Sequence, residues 1–210
     1  MIIAIDGPAA SGKGTLARRL AEHLDFAHLD TGRLYRAVGL AVVRAGGDPD
    51  DPELAIRLAR DFDPGMLDDP ELASDRAAEA ASRVSAIGGV RDALVAFQRR
   101  FARHPPGGKK GAVLDGRDIG TVICPDADIK LYVTASPEVR AARRHKELLA
   151  RAEPSIYARI LADIKVRDAR DRTRAIAPAK PADDAVLLDT TTLDPDAALA
   201  AALDHIAART

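Results

Sequence analysis

Residues 1–15 read MIIAIDGPAASGKGT, a short apolar run that meets a glycine-rich turn and then a basic residue. The MIIAID run is β-branched and apolar on consecutive positions, so it reads as a strand buried on both faces. KGTLARRLAEHL at 13–24 places Leu16, Leu20 and Leu24 on one face of a helix. Between strand and helix stands G-x-x-x-x-G-K, the spacing of a phosphate-binding loop in its expected context. Glycine lets the chain wrap closely around an anion. Successive N–H groups and the helix N-terminus then point at phosphate oxygens. Gly7, Pro8, Ala9, Ala10, Ser11, Gly12, Lys13, Gly14 and Thr15 are therefore the candidate nucleotide-phosphate site, with Lys13 its main charge. Gly14 stands where Ser or Thr usually follows the lysine, so Thr15 is expected to donate to a phosphate. Magnesium is then expected on phosphates and waters, with Asp115 or Asp6 behind them.

Outward from this loop, strands alternate with helices. Strand-like stretches lie at 112–115 and 128–134, near Leu29, and at 185–189. Helices are expected from Thr31 or Gly32 to Gly46-Gly47, over 52–62, over 72–103 with a break at Gly88-Gly89, and over 136–152, 154–171 and 194–208. HPPGGKKG at 104–111 reads as a loop. This alternation predicts an α/β fold with a parallel sheet covered on both faces. Ligands in such sheets sit at the carboxyl ends of the strands. That rule points to 6–15, 29–36, 115–118 and 134–136.

Composition narrows the field. The 210 residues carry 31 Lys plus Arg against 32 Asp plus Glu, a balance that argues against a general nucleic-acid binder. Hydrophobic residues at 47% supply a core, and aromatics at 3% leave little for stacking on bases. A lone cysteine, Cys124, and scattered histidines give neither a disulfide nor a metal cluster. Apolar runs are too short for a membrane span. The residues at 1–6 lack the basic region of a signal peptide. A monomer in the cytoplasm, with small-molecule substrates and neither nucleic acid nor membrane as partner, is the expectation.

A phosphate loop specifies a nucleotide but not a reaction, and the arginines carry the rest. Arg36 falls one turn into the helix after the second strand, where Thr31 could cap it. Asp115-Gly116-Arg117-Asp118 follows the third strand. RDARDRTR at 167–174 packs four arginines into eight positions, with Arg167, Arg170 and Arg174 on one helical face and Asp171 beside Arg167. Beside a phosphate loop these read as an arginine-bearing lid, whose guanidinium forks would stabilise a transferring phosphoryl group. A lid also excludes the water that would otherwise hydrolyse the nucleotide.

With GPAASGKGT, DTGRLYR at 30–36, AASRV at 80–84, VRDAL at 90–94, DGRDIGTV at 115–122 and RDARDRTRAIAP at 167–178, the chain resembles the bacterial cytidylate kinases over nearly its whole length. The resemblance implies a single nucleoside-monophosphate kinase domain over 1–210, with an acceptor-binding region at 31–103 and a lid at about 144–174. It implies transfer of the γ-phosphoryl group of Mg²⁺·ATP to CMP or dCMP. Residues 7–15 would hold ATP, and Lys13, Arg117 and Arg174 would be catalytic. Arg36, Arg117 and Arg174 would hold the acceptor phosphate. Ser82, Arg91 and Asp118 would read cytosine, Arg167 and Asp171 would hold the ribose, and Thr31 and Tyr35 would line the acceptor site. Many relatives carry a small antiparallel sheet before the AASRV-like block. Here residues 61–79 are too short and too rich in Pro and Asp for it, so a reduced, helical acceptor insert is expected. Other readings are a kinase for UMP, AMP or shikimate, or a non-catalytic nucleotide-sensing module.

Overall fold

The computed structural model describes residues 1–173 and 175–209. Strands β1 (Ile2–Asp6), β2 (Ala27–Asp30), β3 (Ala112–Gly116), β4 (Ile129–Thr134) and β5 (Val186–Asp189) form one parallel sheet in the order β2-β3-β1-β4-β5. The helices are α1 (Lys13–Leu24), α2 (Thr31–Arg44), α3 (Pro52–Arg60), α4 (Asp75–Val84), α5 (Gly88–Arg103), α6 (Pro137–Ala150), α7 (Tyr157–Thr173) and α8 (Pro195–Ala207). Among the described residues, no helix is long and apolar enough to cross a membrane.

Side chains alternate across a strand, and that alternation builds two cores. Ile3 and Ile5 of β1 join Val113, Ile129, Leu131 and Val133 under α1 and α8. Ala4 faces the other way and joins Leu29, Leu114, Leu34, Val38 and Leu94 under α2 and α5. Both faces are thus dry, as the unbroken apolar strand runs require. The chain leaves β1 for one side of the sheet, builds β2 and β3, then crosses back to add β4 and β5. The carboxyl end of β1 lies at that switch, where a crevice forms between diverging loops.

Two features differ from expectation. The break between the helices of 72–103 falls at 85–87, and Gly88-Gly89 opens α5 instead of interrupting it. A Cβ on Gly88 would sit 2.7 Å from Ile176 Cδ1, and one on Gly89 2.5 Å from Ile56 Cδ1, so these glycines serve close packing. Thr31 does not cap α2; Asp30 holds the cap position and the Thr31 hydroxyl donates to the Asp115 carbonyl at 2.8 Å. As expected, 61–79 holds no strand, only single helical turns at Pro64–Asp68 and Pro70–Ala73 and the start of α4. Asp63 and Asp69 each accept an N–H from the turn that follows them, at 2.7 and 2.8 Å, so the Asp-Pro-rich composition is spent on capping.

Candidate active site

Gly7 and Gly12 show why the loop needs glycine. A Cβ on Gly7 would lie 2.0 Å from the Val133 carbonyl oxygen of β4. Gly12 caps α1 at φ +88, a left-handed conformation. The loop is braced from behind. Thr190, just past β5, donates from Oγ1 to the Ser11 carbonyl at 2.9 Å. Arg143 Nη1 of α6 donates to that Thr190 Oγ1 at 3.0 Å. Lys13 folds back toward the loop, with Nζ 3.4 Å from the Pro8 carbonyl.

A cleft of about 180 Å³ lies beyond the carboxyl ends of β1, β2 and β3. Ala9, Ala10, Lys13 and Gly14 form one wall; Thr31, Tyr35 and Arg36 of α2, Arg91 of α5, Arg117 and Asp118 after β3, and Arg167 and Asp171 of α7 form the others. Residues separated by more than 150 positions in the chain therefore converge on one space. Arg174 lies outside the described residues. Ser82 is buried on α4 but does not line the cleft; its hydroxyl accepts from Arg170 Nη1 at 2.8 Å, and Ser85 lines the wall one turn on. Thr15 is exposed, one helical position past the cleft wall.

Each cation is held in a defined direction. Arg117 Nε donates to Asp171 Oδ2 at 2.9 Å, with both side chains largely buried. Burial disfavours the Arg117 charge, and Asp171 more than restores it, leaving the group firmly protonated. Arg91 pairs with Asp118 and donates from Nη1 to the Ser85 carbonyl at 3.1 Å, its guanidinium 5.4 Å from the Tyr35 ring centre. Arg36 Nη1 donates to the Leu72 carbonyl at 2.7 Å, tying α2 to the turn at 70–73. Arg167 is different: its Nε is buried with no hydrogen-bond partner among the described residues. Burial, then the neighbouring Arg117 charge, pull Arg167 down to about 10. Burial and Arg117 likewise pull Lys13 down to about 8, against Asp115 and Asp30.

Two carboxylates sit behind the phosphate loop. Asp30 and Asp115 are register partners on β2 and β3. Burial, then the Asp115 charge, raise the pKa of Asp30. Asp115 Oδ2 lies 2.8 Å from His28 Nε2, and Oδ1 would be 3.8 Å from a Cβ on Gly14. Asp6 offers no such service: its two oxygens accept the Ile119 and Gly120 N–H groups, each at 2.8 Å. Among the described residues no cluster of three or more His, Cys, Asp or Glu could cage a metal by itself. A paired, partly frustrated set of two carboxylates fits a Mg²⁺ ion that arrives on phosphates and keeps most of its waters.

Sequence reading missed Asp30, although the strand-end rule covers it. It also missed Arg140, one turn into α6. Arg140 donates from Nε to the Ala135 carbonyl at 2.9 Å and from Nη1 to the Ala9 carbonyl of the phosphate loop at 3.2 Å. It also forks onto Asp168 of α7, at 3.1 and 2.5 Å. Ser136, which caps α6, marks the strand end that would have led to it.

Comparison with known proteins places these features among relatives. A family model described as cytidylate kinase matches residues 3–208. A cytidylate kinase of Paramagnetospirillum magneticum is 61% identical over 208 residues, covering 99% of this chain and 98% of that protein. One from Rhodospirillum rubrum is 58% identical over 207 residues, covering 99% and 97%. In fold alone, the chain is similar to the crystal structure of an uncharacterized protein from Eubacterium ventriosum, at a TM-score of 0.56 and 16% identity over 100% of this chain and 99% of that one.

Proposed function

The chain belongs to the cytidylate kinase family, and on that footing we propose that it moves the γ-phosphoryl group of ATP to CMP or dCMP, giving ADP and CDP or dCDP. The observation that carries the reading is the convergence of Arg36, Arg117 and Arg167 with Lys13 on one cleft. One polyanion would lie on main-chain N–H groups of residues 7–15, the other among guanidinium forks. We assign residues 31–103 as the acceptor region and about 144–174 as the lid of a single domain, in a monomer acting in the cytoplasm.

The step needs no general base. An acceptor phosphate oxygen is already anionic near neutral pH. It attacks the γ-phosphorus, a new P–O bond forms, and the bond to the β–γ bridging oxygen breaks as ADP leaves. Positioning and charge stabilisation carry the rate. Lys13 would follow the β- and γ-oxygens; Arg36, Arg117 and Arg174 would hold the acceptor phosphate and the equatorial charge. Mg²⁺ on ATP would offset the charge of the phosphates, with Asp115 and Asp30 behind it through water. Arg167, whose Nε has no hydrogen-bond partner among the described residues, and Asp171 would meet the ribose hydroxyl side.

Cytosine offers an amino donor, a ring-nitrogen acceptor and a carbonyl. Asp118 would accept from the amino group, and Arg91, held beside it, would donate. A serine hydroxyl accepts and donates at once, so Ser82 would keep its bond from Arg170, and its own proton would reach the base once α4 shifts toward the cleft that it now stands outside. Uracil presents an acceptor where cytosine presents the amino group and meets Asp118 with a repulsive pair. The deciding experiment is an ADP-release assay against CMP, dCMP, UMP, AMP and shikimate. The reading expects CMP and dCMP to dominate. ATP binding without turnover of any acceptor would overturn it in favour of a sensing module, and preference for another acceptor would reassign the substrate.

A further inference from the structure

Asp6 is a buried carboxylate for which the phosphoryl-transfer scheme has no direct use. It ends β1, is 4% exposed, and pairs in register with Gly116 of β3 and Tyr132 of β4. The next residue, Gly7, begins the phosphate loop. Its side chain does not enter the cleft. It reaches across the end of β3 and takes two successive main-chain N–H groups, Ile119 on Oδ1 and Gly120 on Oδ2.

Those two N–H groups begin the helical turn Ile119–Ile123, a wide π-type turn in which the Ile123 N–H reaches the Asp118 carbonyl at 3.2 Å and the Cys124 N–H reaches the Ile119 carbonyl at 2.7 Å. The turn has no cap of its own, because the Asp118 side chain does not accept from it. Asp6 supplies that cap from a different strand. Arg117 and Asp118 stand immediately before it and line the cleft. The turn packs directly against the carboxylate and against the Lys130 side chain. A Cβ on Gly120 would lie 3.4 Å from Asp6 Oδ2 and 3.2 Å from Lys130 Cδ.

We propose that Asp6 is a positioning residue: by clamping the Ile119 and Gly120 N–H groups it fixes the direction in which Arg117 and Asp118 face the acceptor, relative to the phosphate loop that follows it in the chain. The inference rests on the acceptor roles given above to Arg117 and Asp118. A carboxylate is suited to the task because it accepts on both oxygens in one plane. An asparagine there sets its NH₂ group against one of the two N–H donors, so one bond is lost and the turn rotates away. A displacement of about 1 Å at reacting groups can cost on the order of 100-fold in rate.

The test is Asp6→Asn in the full chain, with steady-state parameters for ATP and for CMP measured separately, and UMP as competitor. We expect kcat/KM for CMP to fall by about 10- to 100-fold and the preference for CMP over UMP to narrow. The KM for ATP should stay within about twofold, since the phosphate loop keeps its own bracing. Asp6→Ser, smaller and able to accept from only one N–H at a time, should give the same split. It decides the matter if Asp6→Asn does not fold. Unchanged CMP parameters in a folded variant, or a rise in the ATP KM as large as that for CMP, would overturn the proposal. If these variants behave like wild type while Asp118→Asn loses CMP preference, the acceptor reading stands and only the clamp falls. If Asp118→Asn is also silent, the acceptor reading itself has failed, and the clamp falls with it.

Discussion

Asp118→Asn separates the structural from the chemical part of the cleft in one substitution. Asp118 and Arg91 form an ion pair whose side chains are 6% and 7% exposed, so solvent does little to screen it. The amide keeps the shape and one acceptor but removes the charge. Arg91 retains the Ser85 carbonyl at 3.1 Å and the face of Tyr35, so its guanidinium is not stranded. The loss is then the charge assistance of one bond, about 1.5–3 kcal/mol. Deleting the acceptor outright, in Asp118→Ala, exposes the full penalty of a broken buried pair, about 3–5 kcal/mol. At roughly 2–4 °C per kcal/mol for a chain of this size, the amide variant should melt about 3–12 °C lower. Its effect on the reaction has a different signature. An amide can donate as well as accept, so it meets the uracil carbonyl that a carboxylate repels. The ratio of kcat/KM for CMP to that for UMP should fall by about 10-fold or more, the order expected when a polar match is relaxed. Circular-dichroism melts and a coupled ADP-release assay on both acceptors measure the two effects. An unchanged melting temperature refutes the buried pair as a stabilising contact. A lower melting temperature with an unchanged CMP:UMP ratio leaves Asp118 as scaffolding and refutes its contact with the base.

Lys13→Ala should reduce kcat by about 100-fold or more, as loss of a preorganised donor does, while the melting temperature stays near wild type. Because burial and Arg117 hold Lys13 down to about 8, kcat/KM for ATP, which reports the free enzyme, should decline as pH rises above 8; Lys13→Arg should move that limb to higher pH or remove it. Asp168→Asn takes the charge from the fork that Arg140 makes on α7, leaving the buried Arg140 facing two carbonyls and an amide. It should weaken ATP and acceptor affinity together, because Arg140 touches both the loop and α7, and kinetics on both substrates check it. Burial lifts Asp6 from 3.8 to about 7 against its two N–H partners. The native state therefore binds more protons than the unfolded chain between those values, and stability from this group declines as pH rises through that window. Asp6→Asn should flatten that slope in urea titrations at several pH values.

The fold was readable because each element declares itself locally. MIIAID could only be a doubly buried strand, and Leu16, Leu20 and Leu24 could only share a helical face. The same holds for the loop, where strand, glycines and lysine coincide within fifteen residues. What escaped were features that depend on distant groups meeting. Nothing in GGVRD indicates that its glycines seat Ile176 and Ile56, so the helix break was set three residues late. Thr31 looks like a cap from its spacing, yet the Asp115 carbonyl of a neighbouring strand takes its hydroxyl. Ser82 is a helix serine in any local reading, and its bond to Arg170 spans 88 positions. Arg140, and the clamp that Asp6 makes, are found only when the strand ends are assembled, since their partners are main-chain atoms and, for Arg140, the distant Asp168.

The cleft's charges explain how guanidinium groups can crowd without flying apart. Two of its cations are answered individually, Arg91 by Asp118 and Arg117 by Asp171. Among the described residues Lys13, Arg36 and Arg167 are not answered in this way, and burial lowers all three pKa values. Facing them are Asp30 and Asp115, which disfavour one another. The paired arginines are aimed by their carboxylates and need no reorganisation to meet an anion. The unpaired cations gain most from phosphate, because the low-dielectric setting that makes their charge costly also strengthens its attraction to a nearby anion. Burial thus does two things at once: it holds the protein's own charges slightly out of balance, and it reserves the strongest interactions for the substrates that restore that balance.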